Sequence, residues 1–362
     1  MKLDLNIADK STWLSKNAPI MISGPCSVES EEQMMQTAKE IAKTRKVSIL
    51  RGGIWKPRTR PNSFEGVGEE GLMWLKNAGL EVGLPVATEV ANAEHVEACL
   101  KKGIDVLWVG ARTTVNPFSV QEIAEALKGV DIPVFVKNPI IPDINLWIGA
   151  LERLNAVGIN KLAAIHRGFA SCDKSSYRNT PMWKIPIELK LMCPELTMLC
   201  DPSHITGDKD LISYVAQKAL DLDMEGLMIE SHINPLVAKS DAKQQVTPIE
   251  LDTLLSDLII REKHSKSEEF INKLEQLRSV IDDLDEELIN KFASRMEIIE
   301  KIGAYKGENN VIILQLERWE KILSNRTFLA SKVGLSDDFI KKMLELVHQE
   351  SIRVQTQVMN HK

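Results

Sequence analysis

The sequence predicts a TIM (β/α)8 barrel followed by a small all-α dimerising domain, and three observations carry that reading. Eight short apolar runs alternate with amphipathic stretches through residues 1–260 at a spacing of roughly thirty residues, the arithmetic of eight βα units. The chain has 362 residues, more than one ordinary domain of about 100–200. Beyond Ile260 the composition changes and no Pro occurs. The expected division is a barrel over residues 1–260, a linker over 261–268 and a helical domain over 269–362.

Taken in order, the runs are PIMISG from Pro19, VSILRGG from Val47, EVGLPVATEV from Glu81 and VLWVGAR from Val106. PVFVKNP from Pro133, KLAAIHRG from Lys161, LTMLCDPSH from Leu196 and GLMIESH from Gly226 complete the set. Parallel strands covered on both faces read as such unbroken apolar runs. Between them, stretches such as Glu31 to Lys43 and Asp208 to Leu222 are amphipathic helices. No GxGxxG follows the first strand, which argues against a dinucleotide site.

The polar segment REKHSKSEE from Arg261 is the linker. From Phe270, apolar residues at Leu274, Leu277, Ile281, Leu284, Leu288, Phe292, Met296, Ile299 and Ile302 recur at threes and fours. They predict one helix of about 35 residues, about 50 Å long. Such a helix cannot bury its stripe within so small a monomer. Further helices at about Ile312 to Ala330 and, after the cap-like Ser336, Asp338 to Met359 suggest a module that completes its core by dimerising. A bare coiled-coil dimerisation tail would show the same stripe.

A net charge of −6 argues against sequence-independent nucleic-acid binding, which needs a Lys/Arg excess on one face. No apolar run approaches the ~18 residues of a membrane span, and MKLDLNIADK carries no apolar signal core. Five cysteines without a CxxC indicate neither a disulfide framework nor a zinc knuckle. A cytoplasmic protein that binds neither membrane nor nucleic acid is expected.

Barrel chemistry sits at the C-terminal strand ends, so the residues following each run are the candidates. They are Cys26; Arg51, Lys56 and Arg58; Glu89; Arg112; Lys137; His166 and Arg167; Asp201 and His204; Glu230 and His232. Six cations on one face imply phosphates or carboxylates as ligands, because that many buried charges need anions. Cys26, His204, Glu230 and Asp241 form a mixed soft and hard donor set suited to Mn²⁺, Fe²⁺, Co²⁺ or Zn²⁺ rather than Mg²⁺ or Ca²⁺. A buried structural Cys and a core His are the plainer alternative for two of them.

These motifs carry a resemblance. GPCSVES from Gly24, RGGIWKPRTRPNSFEG from Arg51, GARTTVNPF from Gly110, VKNP from Val136, IHRGF from Ile165, DPSH from Asp201 and MIESH from Met228 resemble the barrel family of 3-deoxy-D-arabino-heptulosonate 7-phosphate (DAHP) synthases. That family is shared with the 3-deoxy-D-manno-octulosonate 8-phosphate synthases. The resemblance implies metal ligands at Cys26, His204, Glu230 and Asp241, with Mn²⁺ first among the candidate ions. It implies phosphoenolpyruvate contacts at Arg51, Lys56, Arg112, Lys137 and Arg167, and an aldose-phosphate motif, KPRT, that brings in Arg58 and Thr59; Lys56 is its catalytic residue. The octulosonate enzymes carry a KANRSS-like motif there, so KPRT favours erythrose 4-phosphate as the second substrate. Arg60 stands where the family usually has Ser.

On the long helix, Arg295 and Lys306 are eleven residues apart and so within about 20° of one face. Arg278 lies about 100° from Arg295, available to a partner subunit. Ser351 and Gln355 share a face at i and i+4. The stretch LEQLRSVIDDLDEELINKFASRMEIIEKIGAYK from Leu274, with ERW from Glu317 and QESIRVQ from Gln349, resembles the all-helical chorismate mutases. It implies that chorismate is held by Arg278 of a second copy, Arg295, Lys306, Arg318, Ser351 and Gln355, with Lys306 and Gln355 catalytic at the ether oxygen. Gln315 and Trp319 stand where members often carry carboxylates; Glu317 and Glu320 are the nearby substitutes.

The expectation is a bifunctional, metal-dependent enzyme of the shikimate pathway, homodimeric through its helical domain, with prephenate as product and inhibitor. An octulosonate phosphate synthase, or a DAHP synthase whose helical domain only regulates, are the alternatives.

Overall fold

The computed structural model describes residues 2–14, 19–56, 63–171 and 175–360. By contacts the chain divides into two compact units, Met1–Lys263 and His264–Lys362, a break inside the polar segment that follows Ile260. No described helix is long and apolar enough to cross a membrane.

The first unit is a closed barrel of eight parallel strands in sequence order. They are β1 (Ile20–Gly24), β2 (Ile49–Arg51), β3 (Val86–Val90), β4 (Val106–Val109), β5 (Val134–Lys137), β6 (Leu162–His166), β7 (Thr197–Cys200) and β8 (Gly226–Glu230). Closure runs along the whole of β1, from Ile20 opposite Gly226 to Gly24 opposite Glu230. Around the strands lie α1 (Glu31–Lys43), α2 (Glu70–Val82), α3 (Ala93–Lys101), α4 (Ala111–Thr114), α5 (Pro117–Ala126), α6 (Ile144–Ala156), α7 (Lys184–Met192), α8 (Pro202–Thr206), α9 (Ile212–Asp221) and α10 (Pro248–Asp257).

Each expected run contains a strand, but the third begins later than its apolar run. Glu81 and Val82 close α2, Gly83 turns the chain at φ 69°, and the strand starts at Val86. A left-handed residue directly after a helix is the ordinary role of glycine there. Side chains alternate across the strands. Ile20, Ile22, Trp108, Phe135, Ile165 and Met228 fill the barrel interior, while Met21, Leu50, Leu107, Val134 and Ala164 meet the helices in the larger outer core. Trp13 closes one end of the interior against Phe135 at 6.2 Å between rings. α10 is fixed by a capping box, Thr247 with Glu250.

The second unit holds α11 (Glu268–Glu308, 41 residues), α12 (Leu316–Lys332) and α13 (Asp337–Asn360). α11 is longer than its stripe predicts and starts inside the expected linker, because Ser267 caps it by accepting from the Phe270 N–H. Ser336 caps α13 by accepting from the Phe339 N–H. α12 begins four residues after Ile312: Asn310 is left-handed at φ 53°, and the Ile313 carbonyl accepts from Lys306 Nζ at 2.6 Å, so 311–314 is a connection despite its apolar residues. Most of the apolar stripe of α11 is exposed, with Ile281, Leu284 and Leu288 at 55%, 53% and 55%.

Candidate active sites

At the C-terminal rim of the barrel, charged groups stand on strand ends and are nearly all buried. Arg51, 1% exposed, closes β2. Its Nη1 is 3.2 Å from Glu230 Oε1, its Nη2 donates to the Cys26 carbonyl at 3.2 Å, and its guanidinium carbon lies 4.8 Å above the Trp108 ring. Arg51 Nε and Nη1, and Glu230 Oε1, are nevertheless buried without a hydrogen-bond partner. Lys137 ends β5 and reaches Asp201 Oδ2 at 2.7 Å, with the same Trp108 ring 5.5 Å away. That Asp201 oxygen also lies 2.8 Å from His204 Nδ1, while Asp201 Oδ1 caps α8 at the His204 N–H. Burial opposes the Asp201 charge, yet His204 and Lys137 hold its pKa well below the usual carboxylate range.

Lys56 Nζ donates to the Cys26 carbonyl at 3.1 Å and to Cys26 Sγ at 2.9 Å. Burial works against its charge, but Cys26 and Glu230 outweigh that and raise its pKa. Burial, assisted by Glu230, pushes the Cys26 thiol up to about 12. Cys26 Sγ is 3.3 Å from Asp241 Oδ2, and His204 Nε2 is 3.8 Å from Glu230 Oε1. The four candidate metal donors therefore stand as two pairs. Among the described residues no three His, Cys, Asp or Glu side chains gather as a metal-binding group. The donor chemistry and a Glu230 Oε1 that accepts no hydrogen bond fit a divalent ion, with Arg51 and Lys56 as the cations beside the donors in this arrangement.

Arg167 donates through Nη1 to Asn179 Oδ1 at 2.8 Å and to the Gly168 carbonyl, and burial lowers its pKa to about 10. Arg112, on α4, is exposed and makes no hydrogen bond or ion pair among the described residues. Arg58, Thr59, Arg60 and Cys172 lie outside the described residues.

In the helical unit, Arg295 Nη1 donates to Ser351 Oγ at 2.7 Å, and Gln355 Nε2 donates to the Ser351 carbonyl, leaving the buried Gln355 Oε1 without a partner. Gly303 sits under Gln355, where a Cβ would be 3.1 Å from the Gln355 Cα, so the absence of a side chain lets α11 and α13 approach. Lys306 and Gln315 line an open hollow of about 480 Å³ with Ile298, Ile302, Tyr305 and Val311. Arg278 is exposed and pairs with Glu275 one turn away at 2.6 Å; Arg318 is exposed. The single chain thus gathers Arg295, Ser351 and Gln355, and leaves Arg278 and Arg318 outside that group.

Residues 8–269 match the family model of the DAHP synthetase I family. The chain belongs to the DAHP synthetase I family. Residues 277–356 match the model of chorismate mutase type II. Among curated proteins, the chain is 32% identical over 226 residues to the phospho-2-dehydro-3-deoxyheptonate aldolase of Thermotoga maritima, covering 62% of this chain and 64% of that one. It is also 27% identical over 240 residues to the 2-dehydro-3-deoxyphosphooctonate aldolase of Acidithiobacillus ferrooxidans, 61% of this chain and 81% of that one. The crystal structure of the Thermotoga maritima DAHP synthase superposes with a TM-score of 0.59 at 29% identity, over 66% of this chain and 67% of that one. A truncated form of that organism's synthase gives 0.58 at 27% identity, over 66% and 84%.

Within this DAHP synthetase I barrel, several residues at the rim escape a reading of charges and strand ends. Gln244 Nε2 donates to Glu230 Oε2 at 2.7 Å while its Oε1 accepts from Arg178 Nη1 at 2.8 Å, and Arg178 in turn holds Asp241 at 2.8 Å. Gln245 accepts the Cys26 N–H at 2.9 Å. Asn138 bridges the ends of β5 and β6, accepting from the Arg167 N–H and donating to the Gly168 carbonyl. Glu89, which the sequence did place at the rim, accepts from Trp108 Nε1 at 2.9 Å. The one sequence signal for this layer is a buried amide beside a charged rim residue, as in Lys137–Asn138.

Proposed function

We propose that the barrel condenses phosphoenolpyruvate with erythrose 4-phosphate to 3-deoxy-D-arabino-heptulosonate 7-phosphate, and that the helical unit rearranges chorismate to prephenate. The observation that carries the first half is the incompletely bonded donor edge of Arg51, whose buried Nε and Nη1 make no hydrogen bond although Nη1 is ion-paired with Glu230 at 3.2 Å. Buried N–H groups without an acceptor cost about 1–3 kcal/mol each, and a carboxylate or phosphate supplies acceptors in the geometry a guanidinium fork matches. Lys56, Lys137, Arg167 and Arg112 stand on the same rim as further partners for the enol phosphate, and Arg58 and Thr59 belong to the aldose-phosphate motif.

In the condensation, C3 of phosphoenolpyruvate attacks the aldehyde, water adds at C2 and phosphate leaves. The two substrates are polyanions that repel each other, so the rim cations contribute chiefly by holding them together in reactive orientation. Cys26, His204, Glu230 and Asp241 would hold a divalent ion, Mn²⁺ first and otherwise Fe²⁺, Co²⁺ or Zn²⁺, which when bound supplies a Lewis acid for the aldehyde oxygen. Asp201 fixes the His204 ring, and Gln244 occupies Glu230 Oε2 so that Oε1 faces the other donors.

The relatives named 2-dehydro-3-deoxyphosphooctonate aldolase favour a second reading, a five-carbon aldose phosphate; KPRT from Lys56 speaks for the four-carbon one. Assaying the whole chain with erythrose 4-phosphate against arabinose 5-phosphate separates them. The four-carbon sugar should be consumed and the five-carbon one should not, and the reverse would replace the proposal.

The mutase reaction is pericyclic and needs no acid, base or nucleophile. Arg295, Arg318 and Arg278 of a second copy would fix the two carboxylates, Ser351 would join them, and Lys306 with Gln355 would stabilise charge growing on the ether oxygen. A second copy is called for on independent grounds, since the apolar stripe of α11 is uncovered in one chain; the assembly is a homodimer through the helical unit, in the cytoplasm. Prephenate, a dicarboxylate like chorismate, binds the same Arg forks and inhibits the synthase by preferring one of two domain arrangements. Synthase rate against prephenate checks this on the intact chain and on Arg295→Ala: inhibition should fade in the variant, and equal sensitivity would put the sensor elsewhere.

A further inference from the structure

Beside Ser351 and Gln355 on α13 stands a group that neither the family's charge pattern nor the proposal above uses. His348 lies on α13 three residues before Ser351 and seven before Gln355, so at about 100° per residue the three share one face. Its ring stacks on Trp319 of α12, centroids 4.1 Å apart and planes 14° from parallel. His348 Nε2 is buried and has no hydrogen-bond partner. Gln355 Oε1, on the same face, is the other such atom among the described residues of the helical unit. Arg295, bound to Ser351, is near enough for its charge to act on His348; burial first and Arg295 second lower the His348 pKa, which favours the neutral ring.

A buried polar atom that nothing in the protein satisfies costs about 1–3 kcal/mol. Two of them on one face, beside a guanidinium, mark the place of a ligand's own polar groups. Chorismate offers three kinds: two carboxylates, an ether oxygen and a ring hydroxyl. The carboxylates and the ether oxygen call for cations, which Arg295 and Lys306 supply. The hydroxyl can bond an imidazole nitrogen as donor or acceptor, and with Gln315 and Trp319 in place of the carboxylates members often carry, His348, one ring face covered by Trp319, offers such a nitrogen.

We propose that His348 is a specificity-determining residue of the mutase pocket, its Nε2 hydrogen-bonded to the ring hydroxyl of the substrate and its ring plane set by the Trp319 stack. This rests on the mutase reading and adds to it the means by which the hydroxyl is recognised. A site built to bond a substrate hydroxyl rejects the analogue that lacks it, because its own polar atom is then left bare.

The test compares chorismate with an analogue lacking the ring hydroxyl, on the intact dimeric chain and on His348→Phe and His348→Gln. His348→Phe keeps an aromatic ring on Trp319 and removes the nitrogen; His348→Gln returns a polar end. For the unaltered chain, kcat/KM should favour chorismate over the deoxy analogue. In His348→Phe that preference should shrink by about 10- to 100-fold, the worth of one buried hydrogen bond, through loss on chorismate alone, and His348→Gln should recover part of it. Equal losses on both substrates would mean that His348 only supports the fold and would overturn the inference. An unchanged preference in an active variant would do the same. An intact chain that leaves chorismate untouched would overturn the mutase reading first, which keeps the two failures apart.

Discussion

The two units of this chain handle burial in opposite ways. In the barrel, Arg51, Lys137, Asp201 and Glu230 are each within a few per cent of full burial, and most are locked by neighbours on other strands. In the helical unit the buried residues are few, Gly303 on α11, Ala330 on α12, and Ile340, Ser351, Val354 and Gln355 on α13. The polar ones among them, Ser351 and Gln355, share one face of α13. A barrel closes its own core and can therefore set a site in advance, whereas three helices of such length leave most of the α11 stripe exposed, the observation behind the proposed second copy. The difference separates what one chain preorganises from what the proposed assembly would have to supply.

The sharpest way to break that contrast is Cys26→Ala. Synthase turnover and retention of added Mn²⁺ should both fall to background, while chorismate turnover stays within about twofold, since the two sites lie on separate units. Full synthase activity in excess chelator would refute the metal reading. Lys306→Ala should lower mutase kcat by about 10²–10³, the scale of one preorganised donor at a developing anion, with the synthase rate unmoved.

A smaller effect probes assembly itself. Leu284→Asp places a charge in the uncovered stripe and should weaken the dimer about 30-fold or more, read by sedimentation, with mutase activity following protein concentration and synthase activity independent of it. The smallest concerns the barrel alone: Thr247→Ala removes half of the α10 capping box and should cost about 1 kcal/mol, or about 2–4 °C in the melting of that unit.

How far the sequence foretold these units follows from the same contrast. Strands buried on both faces leave unbroken apolar runs, so all eight were visible, and only the third was misjudged at its start because Glu81 and Val82 are apolar-flanked helix residues ahead of Gly83. Charged residues that interrupt such runs, such as Arg51 and Lys137, stand out for the same reason. Neutral amides do not. Gln244, Gln245, Asn138 and Asn179 work from loops and carry no periodicity, and their partners are distant in sequence. The Trp319–His348 stack was equally hidden, since nothing in the spacing of two residues on different helices announces that their rings are parallel.

Asp201 Oδ2 lies at once 2.7 Å from Lys137 Nζ and 2.8 Å from His204 Nδ1, so one oxygen divides its negative charge between the proposed anion-binding residue and a proposed metal ligand. On the proposed reading, an incoming carboxylate or phosphate that drew Lys137 toward itself would leave Asp201 more charge for His204, whose far nitrogen would become the more basic. Occupancy at one position would therefore strengthen the other, and by reciprocity the gain would be equal in both directions. The order in which substrate and ion arrive would then need no gate, because each would raise the chance that the other stays.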